Sequence, residues 1–556
     1  MGRLTDGSST DPEQIDPLEA WDPLHAFSRP DEHWTRTNVG EAMPGVLTPL
    51  GWTFWGGNAE RAFRGVIADM GVLTAAERAV PLDPNTWTMR PFYGRIGWNV
   101  DFFATIGDRM PGTSAEKVAL SLLGRVPPTL ASNPTKRFYA RVGASMARVV
   151  ATSPREVRRV SAETDQWYRR TILRLPQMEL PEARRTLAEA GEVFVRVLVA
   201  QGHMTFGLIT PLYEAVEALV RRTGVGDAAV LSGSGGAEAG MLTDMWLVSR
   251  DQLALDEFLL RHGYHGPAEG EASSRSWRED PTPLTRILDG YRSYGDDESP
   301  AARDAAAHAN YRQMVDAVVA AVPTWQRPGV RGLLAAAGRF IPQRGVPKRG
   351  MLQSVDVCRA VARRMGALLA DDGVLADPED VFYLTTDELT AGSLPADVQD
   401  LVARRRERRA LYSTLVIPSE WRGMPVPSRA VDAAAEIRQS VEGQDSVRGI
   451  GVSPGVVEGV ARVVLNADFG EVDDGEILVS PTTDPSWASI MFVSAALVVD
   501  IGGALSHAAV VARELGLPCV VNTRVGTSVI NTGDRIRVDG AAGTVEILAR
   551  AEAVGS

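Results

Sequence analysis

One histidine in this sequence stands where a phosphoryl group could be carried. Leu497-Val498-Val499-Asp500 reads as a short apolar strand running into Gly502-Gly503-Ala504-Leu505-Ser506-His507. HAAVVARELG (507–516) then reads as a helix, with Ser506 as its N-cap and Gly516 as its stop. Paired glycines after a strand permit a tight turn and let a ligand approach the backbone. Unpaired N–H groups at a helix start, with the helix dipole behind them, favour an anion. A histidine placed there is biased toward the neutral, nucleophilic imidazole, and a phosphate it accepts lands among donors already in place. Two readings stand on these residues alone. His507 is a phosphoryl carrier whose phosphate is held by Gly502, Gly503 and Ser506, or it is a structural histidine beside a cap.

Other residues could complete such chemistry. Arg344 and Lys348 are four apart, so on a helix they share one face and could bracket a transferring phosphoryl group. Pro347 sits between them, and Arg349 could substitute for Lys348 as a phosphate ligand; a solvated basic patch is the plainer alternative. In Gly263-Tyr264-His265-Gly266-Pro267-Ala268-Glu269-Gly270-Glu271, His265 and Glu269 are candidates for a general base or proton relay acting on an attacking hydroxyl. The same string could equally be a shaped turn. Asn38, Glu41 and Thr48 in TRTNVGEAMPGVLTPLGW are polar candidates for an acceptor pocket, with Met43, Val46 and Leu47 as its apolar wall. Trp52, Phe54 and Trp55 could stack on an aromatic substrate or belong to the core.

The elements that must position these residues fall into two regimes. The chain has 556 residues, 44% hydrophobic and 23% charged, enough for two to four packed units at roughly 100–200 residues each. Residues 1–30 carry no periodicity and read as a flexible leader, followed by a tryptophan-rich, turn-rich stretch to about 100. From about 114 to 440 apolar residues recur at three and four, the spacing of one-sided helices. DPEDVFYLTTDEL (377–389) reads as a short strand entering a helix. The spacing therefore predicts a mostly helical body over 31–440 and a linker over 441–448. A β/α domain over 449–550 follows, with a tail at 551–556. In that domain GIGVSPGVVEGVARVVL (449–465) reads as a β-pair, and EILVSP, ALVVDIGG, LPCVV, RIRVDG and TVEIL as further short strands.

A net charge of −12 argues against nucleic acid and anionic membrane as partners, since both select basic patches. Cys358 and Cys519 are too few for a disulfide framework, and neither has metal-ligand spacing, so a reducing cytoplasm is expected. No signal-peptide core and no run of about 18 apolar residues is evident, so no membrane span is expected. No metal cluster is evident either.

The string GGALSHAAVVARELGLPCVV resembles the phosphohistidine swivelling domain of the PEP-utilizing enzymes, which include phosphoenolpyruvate synthase, pyruvate phosphate dikinase and rifampin (rifampicin) phosphotransferase. GIGVSPGVVEGVARVV, TTDPSW (482–487) and GDRIRVDGAAGTVEIL extend the likeness over the whole C-terminal region, in order. Dikinases often read Thr-Ser-His or Thr-Cys-His where this chain reads Leu-Ser-His. The resemblance implies that His507 is the phosphorylated residue. Over roughly 33–430 the body is similar to the substrate-binding domain of rifampicin phosphotransferase and of phenylphosphate-synthase-type proteins, through YGRIGWN, HGYHGPAEGEASSRSWREDP and RFIPQRGVPKRG among others. Those enzymes carry an Arg-x-x-x-Lys/Arg pair near the phosphohistidine, where Arg344 and Lys348 fall. They usually read Gly-His-Arg-Gly-Pro-x-Glu where this chain has Tyr264-His265, which departs from the pattern.

No P-loop and no ATP-grasp or phosphoenolpyruvate-binding module is legible. The resemblance then implies a two-component, ATP-dependent phosphotransferase, whose ATP-grasp partner subunit would hold ATP and Mg²⁺ and charge His507. The acceptor would be a small hydroxyl compound, phenol or a cresol. A split antibiotic kinase, a ligase with a phosphorylated intermediate, and a non-catalytic phosphocarrier are the alternatives.

Overall fold

The computed structural model describes residues 21–37, 43, 45–226, 237–292, 295, 296, 299–432, 443–465, 472, 473, 475–483, 487–503 and 506–551. Asn38 and Glu41, residues 1–20 of the expected leader, 441–442 of the expected linker, Asp484, Pro485 and Ser486 of the TTDPSW loop, and 552–556 of the tail lie outside the described residues. The helices that position the site are α1 (Pro49–Asp69), α2 (Tyr139–Arg174), α3 (Leu180–Met204), α4 (Ala237–Ser249), α5 (Leu255–His262), α6 (Thr282–Tyr291), α7 (Pro300–Ala321), α8 (Gly345–Asp371) and α9 (His507–Leu515).

The body is mainly helical. Helix α3 begins at a proline turn, and its Ala183, Leu187, Ala190, Phe194 and Val197 recur at three and four. That stripe packs with α1, α2 and α8, where Tyr168, Val355, Cys358, Val361 and Met365 complete one apolar core. The helical stretch Leu180–Thr223 reaches a mean hydropathy of 1.4, long and apolar enough to cross a membrane, a run the sequence reading did not find. Half of that window is buried inside the fold, as befits a core helix.

Where α3 gives way to a π-helical turn (Thr205–Ile209), His203 is clamped between two other helices. Its Nδ1 lies 3.3 Å from Glu156 of α2, and its Nε2 lies 3.3 Å from Asp69 at the end of α1. Burial alone would lower the histidine, but the two carboxylates override it and raise its pKa to about 9. The stabilisation from protonated His203 is therefore complete below about 6.5, its unfolded value, and is lost as pH rises through about 9. We expect His203→Gln to lower the unfolding free energy at pH 7 by about 2 kcal/mol. The difference from wild type should shrink as urea melts are repeated between pH 7 and 10; a constant difference would rule out the ion clamp.

Two sequence expectations need correction in the body. Residues 21–30 are not a mobile leader. Leu24 is buried in the main core, the Ala26 amide donates to the Pro91 carbonyl at 2.8 Å, and the Tyr412 hydroxyl donates to Asp22 at 2.6 Å. Just beyond, strand β1 (His33–Thr35) joins β2 (Met89–Phe92), β3 (Arg95–Asn99) and β4 (Glu420–Arg422) in a small sheet of order β2-β3-β1-β4, tying both ends of the body together. Residues 377–389 contain no strand. Asp377 forms a capping box with Asp380 and opens a 3₁₀ turn (Pro378–Tyr383), and Thr385 does the same with Glu388 for the next helical turn. Two capping boxes in sequence outweigh the β-propensity of Val381-Phe382-Tyr383.

The third correction concerns where the sheet begins. Strand β5 (Ser446–Arg448) already pairs within the C-terminal sheet, so the expected linker contributes to it. The sheet continues through β6 (Ile450–Ser453), β7 (Val456–Val463), β8 (Ile477–Ser480), β9 (Ala496–Val499), β10 (Cys519–Val521), β11 (Arg535–Asp539) and β12 (Thr544–Ala549). Their order is β5-β12-β11-β7-β8-β9-β10-β6, with β7 to β10 parallel in the middle. The expected β-pair over 449–465 does not form, because β6 and β7 lie apart in the sheet. The turn at Gly540 comes between them. Its amide donates to Gly455 at 2.9 Å, and a Cβ on Gly540 would lie 1.9 Å from the Ser453 carbonyl.

The lobe α4–α6 and the sheet domain share one apolar cluster. Met241, Met245, Phe258, Trp277 and Leu288 belong to it, with Leu478, Met491, Leu497, Ala508 and Val511 from the other side. Helix α7 also touches α9.

Candidate functional site

Strand β9 is flanked on both sides by parallel neighbours, and its carboxyl end leads directly into the loop before α9. In open parallel sheets this edge is where ligands gather, because strand ends and helix starts point their free N–H groups there. Ser506 is the N-cap, its hydroxyl accepting from the Ala509 amide at 3.3 Å, and His507 is the first helical residue. Gly502 is buried, and a Cβ there would come within 3.0 Å of the Ser506 hydroxyl and 3.2 Å of Val521. A tight approach, not a left-handed backbone, explains that glycine. Gly503 accepts from the Ser506 amide at 3.0 Å.

The loop is held by a residue that sequence reasoning missed. Asp500 takes the Thr523 hydroxyl at 2.6 Å and both the amide and the hydroxyl of Thr527. This buried carboxylate pins the end of β9 to the turn after β10. An acidic residue closing an apolar strand was the available signal.

A second group of candidate residues lies in the body. Residues 263–278 fold as a compact turn between α5 and α6. The Trp277 amide donates to the His265 carbonyl at 2.7 Å, and a Cβ on Gly266 would strike the Arg275 carbonyl at 2.6 Å. His265 and Glu269, expected to act together, do meet: Nδ1 lies 2.5 Å from Oε1, with both residues buried. The other oxygen of Glu269 is buried without a hydrogen-bond partner among the described residues. The His265 ring lies 4.4 Å from that of Tyr264 and 5.6 Å from that of Trp277. His262, at the end of α5, gives its Nε2 to Asp244 of α4 at 2.9 Å. Burial, and then the charges of His265 and Arg349, push its pKa down to about 4 against the opposing pull of Asp244.

A buried ionic network carries this turn on α8. Asp356 receives the Tyr168 hydroxyl at 2.9 Å and the Arg278 guanidinium at 3.1 and 3.2 Å, with Arg359 at 3.4 Å. Arg359 reaches on to the carbonyls of Glu269 and Glu271 at 3.1 and 3.0 Å. Burial alone would raise the Asp356 carboxyl, but the two guanidiniums overcome it and hold it below the usual range.

Arg344 ends a 3₁₀ turn and caps α8, and Lys348 and Arg349 lie in its first turns, so the expected helical spacing is realised across the 3₁₀-to-α junction. Pro347 is tolerated because the first turn needs no amide there. All three basic residues are half-buried, and Arg349 is close enough to act on His262 electrostatically.

Among the described residues, the remaining candidates belong to the core and its supports and form no open pocket wall. Thr48 is the buried N-cap of α1, and its hydroxyl and amide both bind Glu271, at 2.5 and 3.0 Å. Met43, Leu47 and Trp52 sit in the main core with Phe54 and Trp55, and Val46 packs against it. Trp55 donates its indole N–H to the Gly270 carbonyl at 2.9 Å. The first string thus supports the 263–278 turn from behind. Among the described residues no group of three or more His, Cys, Asp or Glu is placed to hold a metal ion.

Comparison with known proteins agrees with this division. Residues 472–543, which include His507, match the family described as PEP-utilising enzyme, mobile domain. Residues 229–344 match the rifampicin phosphotransferase fourth domain. The rifampicin phosphotransferase of Streptomyces sviceus is 34% identical over 304 residues, covering 53% of this chain and 34% of that protein. That of Bacillus subtilis is 29% identical over 312 residues, or 54% of this chain and 35% of that protein. The phosphotransferase YvkC of Bacillus subtilis is 34% identical over 194 residues, 34% of this chain and 23% of that protein. The chain therefore spans about a third of the length of the curated relatives it matches. The C-terminal stretch is thus similar to the mobile domain of the PEP-utilising enzymes, and about half of the chain is similar to the rifampicin phosphotransferases.

Proposed function

We propose that this chain is the histidine-bearing component of an ATP-dependent phosphotransferase. His507 would take a phosphoryl group from an ATP-grasp partner that holds ATP and Mg²⁺, and would pass it to a small hydroxyl acceptor in the body. The observation that carries this reading is the position of His507. It opens a capped helix beyond a parallel strand, inside the stretch matched to the mobile domain. Donors at such a helix start stabilise a phosphoryl group without reorganising. The shared cluster of α4–α6 and the sheet domain supports the body as the delivery point.

A small phenolic acceptor, phenol or a cresol, suits the receiving region. Tyr264 and Trp277 lie against the His265 ring and Tyr168 lies against Tyr264, so buried aromatic side chains line this polar turn. Two clefts, of about 410 and 570 Å³, lie elsewhere, along Asp251 and Arg292. The names of the relatives favour a second reading, in which a rifamycin-type hydroxyl is the acceptor.

The test incubates the chain with an ATP-grasp partner and labelled ATP, then adds phenol, cresols or rifampicin. Acid-labile label should appear on the chain only with the partner present, and should move to phenol or cresol. Movement to rifampicin alone would replace the phenolic reading, and absence of label would refute the carrier role. Arg344→Ala and Lys348→Ala should each slow transfer by about 10²-fold, as expected for losing one cation at the equatorial oxygens, while leaving charging of His507 intact. Equal transfer rates in wild type and variants would remove both residues from the site.

A further inference from the structure

Two histidine–carboxylate pairs stand side by side in the receiving region, and they differ in which nitrogen is left over. His265 has its Nδ1 engaged by Glu269 at 2.5 Å. His262 is engaged through Nε2, which lies 2.9 Å from Asp244. A carboxylate accepts, so Nε2 carries the proton and Nδ1 keeps its lone pair. That Nδ1 is buried and has no hydrogen-bond partner among the described residues. Leaving an acceptor buried and unmatched costs roughly 1–3 kcal/mol, so such an atom in a cluster of functional groups points to a donor that arrives with a ligand. Among the described residues the indole N–H of Trp277 and one oxygen of Glu269 are also unmatched in this region. The rings of His262 and Trp277 both flank Phe258, at 5.0 and 6.3 Å.

We infer that His262, oriented by Asp244, is the general base that takes the proton of the acceptor hydroxyl. The inference rests on the phosphotransfer reading above and names a catalytic residue for it. In the step, the acceptor oxygen forms its bond to phosphorus as the P–N bond to His507 breaks. The hydroxyl proton goes to Nδ1 of His262. The electron pair of the P–N bond returns to the ring nitrogen of His507, which leaves as a neutral imidazole with its other nitrogen protonated.

Asp244 is a positioning residue: it sets the tautomer and steadies the imidazolium that forms. The groups acting on His262 are Asp244 from α4, Arg349 from α8 and His265 beyond its own helix, with burial keeping it neutral. The negative charge of an arriving phosphoryl group offsets Arg349 and raises the basicity of His262 when the proton must move.

The test uses acceptors that differ in their need for a base. The full chain is charged at His507 with potassium phosphoramidate, using His507→Ala as the control for label elsewhere. After the donor is removed, loss of acid-labile phosphate is timed with phenol and with 4-nitrophenol, which ionises by itself near neutral pH. In His262→Gln, transfer to phenol should fall by about 10²–10³-fold while transfer to 4-nitrophenol changes less than about fivefold. Asp244→Asn should show the same selectivity, weaker. The 4-nitrophenol rate also reports that each variant is folded and able to deliver phosphate.

Wild-type transfer with equal losses for both acceptors in His262→Gln would overturn the inference and leave the function standing. So would the selective loss appearing in His265→Gln instead. Failure of charged wild type to transfer to either phenol would overturn the phenolic reading, and this inference with it.

Discussion

His507→Ala is expected to abolish acid-labile phosphorylation of this chain, a loss of at least about 10⁴-fold, because no neighbouring group can replace a covalent carrier. The same substitution should leave urea unfolding within about 1 kcal/mol of wild type. Helix α9 is capped by Ser506 through the Ala509 amide, and Ala508, Val511 and Ala512 pack its apolar face, so other residues cap and anchor it. The pairing of a total functional loss with an intact unfolding transition separates a carrier from a structural histidine. If the variant retains label, or loses label only because it unfolds, the carrier assignment fails. A useful companion is Asp500→Ala, which frees the β9 loop from Thr523 and Thr527 while keeping the histidine.

The largest stability effect should come from Asp356. It is fully buried, and it holds Tyr168, Arg278 and Arg359 together beneath the 263–278 turn. Asp356→Ala leaves the buried Arg359 without its carboxylate and strips Arg278 of its two-pronged partner, which costs about 3–5 kcal/mol. Replacement by Asn keeps the shape but not the charge and should cost less than Ala. Tryptophan fluorescence during urea unfolding follows the body directly, since Trp55 and Trp277 are buried there. A midpoint unchanged in Asp356→Ala would show that the network contributes nothing net. Transfer should suffer as well, because Arg359 holds the carbonyls of Glu269 and Glu271.

Much of the C-terminal half of the site was legible in one dimension. Strand, glycine pair, cap and helix are consecutive residues, and each carries a local rule: apolar alternation, tight approach, N-capping, helix period. His507, Gly502, Gly503 and Ser506 therefore fall where the local pattern put them. The sequence spacing of Arg344, Lys348 and Arg349 was equally informative, since the 3₁₀ turn and α8 run on without a break despite Pro347. His265 and Glu269 are four apart in a turn, close enough for local geometry to bring them together.

Local rules misled where two signals competed. At 377–389 aromatic and β-branched residues suggested a strand, while the capping residues around them prevailed. At 449–465 the Pro454-Gly455 turn looked like a hairpin, but the backbone at Gly540 takes the space a hairpin partner would need. Thr48 and the aromatics after it were read toward a pocket. Glu271, more than 200 residues away, makes Thr48 a buried cap, and the main core claims Trp52.

The order of residues alone thus determined the chemistry on offer: a histidine at a helix start, a row of cations on α8, and a histidine–glutamate turn. Each is a short-range pattern, written in neighbours and readable without knowing the fold. Tertiary structure decided what each group faces. It set Asp244 against His262, left Nδ1 of that ring without a partner among the described residues, buried Asp356 between two arginines, and gave α4–α6 and the sheet domain a common core. Hydrogen-bond partners, burial and the resulting protonation depend on chain segments that meet only after folding. Eighteen residues separate Asp244 from His262, and 78 separate Arg278 from Asp356. The place of His507 at a helix start, by contrast, is set by the dozen residues on either side of it, because a helix start and its cap are local by construction.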